Sequence, residues 1–146
     1  MNNKLNNNFS LRKLLLTALV AGPLATLPAP LWALPDITSA NLTTSSGVTT
    51  QLVGSTLNVT SPDKAILTWQ AFGSGALGPT DNRIQAGDII NYLLPSATSS
   101  VLNTVSGAAP TTIDGSILSN GNVYVLNKSG IIISQTAQIN TGGFYA

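Results

Sequence analysis

Three interior aspartates, Asp81, Asp88 and Asp114, are the side chains best suited to bond-breaking chemistry. Two carboxylates at the right separation act as acid and base on a glycosidic bond, and extended β-rich proteins host such pairs. The rest of the chain gives that chemistry little help. It has no His, Glu or Cys, and no cluster of Lys or Arg to stabilise a developing anion. Each aspartate reads better as a turn residue whose carboxylate accepts backbone N–H bonds. The same absences remove a zinc site, and no Asp-x-Asp/Asn-x-Asp/Asn-Gly run is present to wrap calcium. No catalytic residue, cofactor or metal is assigned, and the chain reads as a non-enzyme. A carbohydrate-active reading would predict polysaccharide cleavage that disappears in Asp88→Asn or Asp114→Asn.

The elements that would position these residues are short strands. Between Thr112 and Phe144 lie three apolar bursts, Ile117-Leu118, Val123 to Leu126 and Ile131 to Ile133. Asn120-Gly121 and Ser129-Gly130 separate them and are expected to supply the φ > 0 positions that tight turns need, with Asn127 and Gly130 forming a left-handed corner. Strand, corner, strand is the rhythm of a chain that winds.

Upstream, Leu34 to Ser46 reads as irregular. Val48 to Val53 and Thr56 to Thr60 flank Gly54-Ser55 as a hairpin or a first coil able to cap an open end. Ala65 to Phe72 alternates with apolar groups on both faces, Ile66, Thr68, Gln70 and Phe72 on one, and Leu67, Trp69 and Ala71 on the other. Gly73 to Asp81 is an insertion loop, and Asp88 to Leu94 a strand stopped by Pro95-Ser96. Ser100 to Val105 is another strand. At about 20 to 25 residues per turn this makes roughly four coils. The expected fold is an all-β, right-handed parallel β-helix (β-solenoid) with an amino-terminal cap. It is incomplete at the carboxy end, because the chain finishes at Phe144-Tyr145-Ala146 without a polar cap.

Residues 1–33 read as a cleavable signal peptide. Lys4, Arg12 and Lys13 precede an apolar run from Leu14, broken by Gly22 and Pro23, and Leu31-Trp32-Ala33 ends on a small residue. The run is shorter than the roughly 18 to 20 apolar residues that span a bilayer. Once it is removed, Lys64, Arg83 and Lys128 stand against five aspartates, so the net charge of +1 belongs to the precursor. A mildly acidic chain lacks the basic clusters that nucleic acid requires. The absence of Cys fits a chain that crosses two membranes unfolded.

In order along the chain stand Trp69 and Phe72; Pro95-Ser96; Val101-Leu102-Asn103 with Val105 and Gly107; Ile113 and Gly115; Asn120-Gly121; and Asn127-Lys128-Ser129-Gly130-Ile131. Ala137-Gln138-Ile139-Asn140 and Gly142-Gly143 follow. This series resembles the amino-terminal secretion domain of filamentous haemagglutinin-type exoproteins, the passengers of two-partner secretion, over about Gly47 to Gly143. Lys128-Ser129 stands where that family often has Pro-Asn, and Tyr92-Leu93-Leu94 where Phe-Asn-Gln is usual.

The resemblance implies that residues 34–146 are the amino-terminal part of a secretion β-helix, recognised by a dedicated outer-membrane transporter and exported from a diderm bacterium. The effector would lie in a missing downstream region, through which host glycans or proteins could be bound. Asn127, Lys128, Ser129, Gly130 and Ile131, with Asn120 and Gly121, are candidates for the secretion turn or for plain coil corners. Trp69 and Phe72 read as packing residues rather than an exposed ligand-binding pair, with the Thr-rich surroundings offering the indole a partner. The alternative is an autotransporter-like adhesin passenger that binds host glycans or matrix directly. Asn41-Leu-Thr, Asn58-Val-Thr and Asn127-Lys-Ser match the glycosylation sequon at a frequency that chance explains.

Overall fold

The computed structural model describes residues 42–73 and 82–146. The signal segment, the stretch 34–41 and most of the insertion loop, including Asp81, lie outside the described residues. Among the described residues all regular structure is strand. In chain order these are β1 (Leu42–Thr44), β2 (Thr49–Val53), β3 (Thr56–Thr60), β4 (Ala65–Trp69), β5 (Arg83–Ile84), β6 (Ile89–Leu93), β7 (Ser100–Val105), β8 (Thr111–Ile113), β9 (Ser116–Ser119), β10 (Asn122–Asn127), β11 (Ile131–Ile133), β12 (Gln138–Asn140) and β13 (Gly143–Tyr145).

They form three sheets, ordered β1-β4-β7-β10-β13, β12-β9-β6-β3-β2 and β11-β8-β5. From β5 onward the chain visits the third, second and first sheet in turn and then repeats, so each circuit adds one strand to every sheet. Ser100 opposes Asn122 and Ser116 opposes Gln138, a circuit of 22 residues in both sheets (100 to 122, 116 to 138). The first circuit is longer, Thr56 opposing Ile89, because residues 70–82 intervene between β4 and β5. Circuits pair in parallel, whereas β1 on β4 and β2 on β3 are antiparallel and cover the edges where the winding starts. Of the two readings left open for residues 48–60, the hairpin is the one formed.

In-register stacking builds the core. Leu57, Ile90, Ile117 and Ile139 stand above one another in the second sheet, Ala65, Val101, Val123 and Phe144 in the first, and Ile84 and Ile113 in the third, with Ile133 in register above them but half exposed on the last circuit. Strand neighbours sit about 4.8 Å apart, so each aliphatic group packs on its equivalent one circuit away. Fully burying one is worth about 1.5–3 kcal/mol.

Two expectations change. The segment 34–46 is not irregular throughout, since β1 occupies 42–44 and borrows its order from β4. Ala65 to Phe72 is not a strand with two buried faces. It ends at Trp69, with Ala65, Leu67 and Trp69 inward and Ile66 half exposed. The chain then turns, so Phe72 enters the same interior as Trp69, ring centroids 5.1 Å apart and tilted 55°.

Candidate functional site

The corners between sheets carry the side chains with the most specific work. At β10–β11, Asn127 is buried and reaches back one circuit. Its Nδ2 donates to Ala109 O (3.0 Å) and to Thr111 Oγ1 (2.9 Å), and its Oδ1 accepts the Ser129 N–H (2.8 Å). Gly130 N–H closes the turn on Asn127 O (3.0 Å) with φ at 102°, and Ser129 Oγ donates to Ala108 O (2.8 Å). Only Gly130 of this turn is left-handed; Asn127 keeps an ordinary φ and acts through its amide, a correction to the expected Asn and Gly pair. Lys128 and Gly130 face solvent while Ile131 is half-buried.

At β9–β10, Asn120 behaves like one more rung of the second sheet. Its Oδ1 accepts the Leu94 N–H (2.8 Å) and its Nδ2 donates to Leu94 O (2.7 Å), pairing both backbone groups that β6 leaves over at its end. Gly121 has no positive φ, contrary to the expectation for an Asn-Gly turn. It is glycine for space: a Cβ there would lie 2.6 Å from Ser99 O and 3.0 Å from Ser96 O. Gly130 is the reverse case, with nothing within 4 Å of such a Cβ. The two turns occupy successive corners at opposite ends of β10, so the candidate secretion residues are not gathered into one pocket. A cleft of about 310 Å³ borders the second turn, with Asn127, Gly130 and Ile131 on its wall beside Leu126 and Ile133.

Trp69 is completely buried, and its indole donates to Asn103 Oδ1 (3.0 Å). The partner is an amide, not one of the threonines. Tyr92 donates its hydroxyl to the same oxygen (2.8 Å), and Asn103 Nδ2 donates to Tyr124 O (3.2 Å). Burial pushes the Tyr92 phenol far above its ordinary range, opposed by the Asn103 bond. Asn82 plays a comparable part, accepting the Phe72 N–H (2.7 Å) and donating to Ala109 O (2.9 Å), the carbonyl that Asn127 also reaches. Sequence reasoning missed Asn82 and Asn103 as organising residues. No sequence signal marked Asn103 as inward, because residues 100–105 do not alternate apolar and polar types; the alternation appears only in their burial.

The aspartates divide. Asp63 accepts the Ser100 N–H (2.8 Å), as a turn carboxylate should. Asp114 instead pairs with Arg83, Nε to Oδ2 2.8 Å, joining β5 to the end of β8. Asp88 is fully buried with neither carboxylate oxygen hydrogen-bonded. Burial raises its pKa, and the nearby Gln85 backbone opposes the shift without hydrogen-bond geometry. The turn-carboxylate expectation therefore fails for Asp88 and Asp114. Asp88, sealed from solvent, offers no surface on which a polymer could be cut. Among the described residues no three His, Cys, Asp or Glu side chains group as a metal site.

The chain resembles the crystal structure of the HMW1 secretion domain from Haemophilus influenzae, with a TM-score of 0.62 and 28% identity over 70% of this chain and 25% of that one. Two heme/hemopexin-binding proteins of Haemophilus influenzae match in sequence. One, from strain Rd, is 39% identical over 57 residues, which is 39% of this chain and 6% of the relative. The other is 31% identical over 84 residues, 58% of this chain and 8% of the relative. The chain thus spans less than a tenth of the length of these relatives. A family model, the TPS secretion domain, matches residues 35–146. Its reach across every strand described above shows that the chain belongs to the TPS, or two-partner secretion, domain family.

Proposed function

We propose that residues 34–146 are the amino-terminal, folding-nucleating part of a filamentous haemagglutinin-type secretion domain, wound as a right-handed parallel β-helix and following a signal peptide at residues 1–33. A dedicated outer-membrane transporter of a diderm bacterium takes up the unfolded chain from the periplasm, its strands pairing with edges of the transporter. The module carries no catalysis of its own. Right-handedness is favoured by the general rule for parallel strand crossovers.

The observation that carries this reading is that the later corners are each bonded to the circuit already wound beneath them. Asn120 binds Leu94, Asn127 binds Ala109 and Gly142 N–H binds Gly121 O, each on the circuit before its own. The antiparallel β1 and β2 close the starting end. Each arriving circuit finds its template already formed, which suits a chain emerging amino end first and folding outside the cell. Heme and hemopexin binding, named for relatives of which this region is 6% and 8%, would belong to a downstream region, as would any adhesion to host cells.

The test is export of the precursor from a diderm host with and without its transporter. Release into the medium that requires the transporter, with Leu34 as the first residue by mass, is expected. Release without it, or a protease-resistant folded domain held in the periplasm, rejects the proposal.

A further inference from the structure

Asn120-Gly121 is the only Asn-Gly pair in the chain. With no side chain on the following residue, the Gly121 amide nitrogen can attack the Asn120 side-chain carbonyl carbon. A Cγ–N bond forms, the Cγ–Nδ2 bond breaks, and Nδ2 departs as ammonia with the proton from Gly121. The resulting succinimide is opened by water at either carbonyl, leaving aspartate or an isoaspartyl linkage. Bulkier followers slow the reaction, as at Asn103 before Thr104 and Asn127 before Lys128.

Folding holds the reacting atoms apart. The Asn120 amide is pinned at both ends to Leu94, and the Gly121 N–H is turned to Ser119 Oγ (3.0 Å). Solvent exclusion is not the protection, because Asn120 is exposed. The geometry of the corner is. The product cannot rebuild that corner: an aspartate has no donor for Leu94 O and sets a negative charge against it, and an isoaspartyl link lengthens the backbone beside Gly121, where even a Cβ meets Ser99 O. Glycine is required there for packing, so the fold is built on the dipeptide most open to this reaction.

We propose that Asn120 is a deamidation site of the unfolded chain that is sealed by folding, so that this one bond limits how long the chain can stay unfolded and still wind. The inference stands on the corner itself and holds whatever route of export is used.

The full chain is incubated in mildly alkaline buffer, once folded, with its β-structure verified by circular dichroism, and once in urea. Asparagines are then mapped by mass spectrometry, and isoaspartate by enzymatic methylation. In urea, Asn120 should convert ahead of Asn103 and Asn127. In the folded chain it should convert more slowly by on the order of a hundredfold or more, the ratio set by how seldom the corner opens. Deamidated chains, separated by charge, should not regain β-structure when urea is removed. Asp114-Gly115, which reaches the same ring by losing water, falls on a separately scored residue. Asn120→Gln, which does not cyclise at this rate, should keep its refolding yield after ageing in urea. Equal conversion in the two states, refolding of deamidated chains to the original stability, or an Asn120→Gln chain that loses refolding as fast as the unsubstituted one would each overturn the proposal.

Discussion

Asn103 holds two buried donors with one oxygen, so a single substitution there strips two interior side chains of their partner. Asn103→Leu would leave the Trp69 indole and the Tyr92 hydroxyl without a partner. At about 1–3 kcal/mol for each unsatisfied buried group, the expected loss is roughly 2–6 kcal/mol, read from the midpoint of urea unfolding. Trp69→Phe removes one donor, keeps the Tyr92 bond and should cost less. Asp88 gives the opposite sign. Its pKa is raised on folding, so the folded state holds the proton more tightly than the unfolded one. The stability it contributes is fully present below the unfolded carboxylate pKa and is lost as pH rises through the folded value. Asp88→Asn should raise the unfolding midpoint at neutral pH and flatten its decline between mildly acid and neutral conditions. A variant less stable than the parent at neutral pH would mean that the carboxylate has a partner when folded.

Turns, taken as elements, separate two reasons for glycine. Gly130→Ala pays for an L-residue at φ 102° in open surroundings, about 1–2 kcal/mol. Gly121→Ala has ordinary φ but drives a Cβ into the carbonyls of Ser96 and Ser99, which belong to the β6–β7 corner one circuit earlier and cannot yield as a side-chain tip would. It should be the more damaging of the two, visible as a lower midpoint or as failure to accumulate folded protein. Asn127→Ala removes the bonds to Ala109 and Thr111 together. If that turn serves only folding, export should fall in step with stability across substitutions at Asn127 and at core sites such as Ile117. Should Asn127→Ala or Lys128→Ala block release while leaving stability intact, the transporter reads the turn directly.

For the whole molecule the decisive fact is that circuits, not neighbours in sequence, are the cooperating units. Trimming the caps tests this. A chain lacking residues 42–53 exposes the outer edges of β3 and β4, which β2 and β1 otherwise satisfy. Unpaired edges recruit other strands, so this chain should self-associate more strongly in light scattering than the intact chain, in which the far edges at β11, β12 and β13 are already open. If it stays monomeric, the caps serve some purpose other than edge protection. The exposed Tyr124 and Tyr145, stacked with centroids 4.5 Å apart and planes within 9°, show the same register continuing on the outer face of the first sheet.

The sequence by itself determined that the region from Val48 to Phe144 is built of strands and corners, and located the strands whose own residues announce them. Ser100 to Val105 reads as a strand between turn residues, Ile131 to Ile133 is β-branched throughout, and both are strands with those bounds. The order of turn and apolar motifs was also enough to suggest the family. Only the tertiary structure decided the rest. β5, β8 and β12 have two or three residues each, too few to show a period, and exist because a partner 20 or more positions away fixes them. The end of β4 at Trp69, the inward return of Phe72, the space that requires Gly121 and the roles of Asn82, Asn103 and Asn120 all depend on atoms of an adjacent circuit. Local sequence encodes a residue's preference for strand or turn, but in a parallel stack what a side chain touches is set by register across circuits, and that is fixed only when they pack.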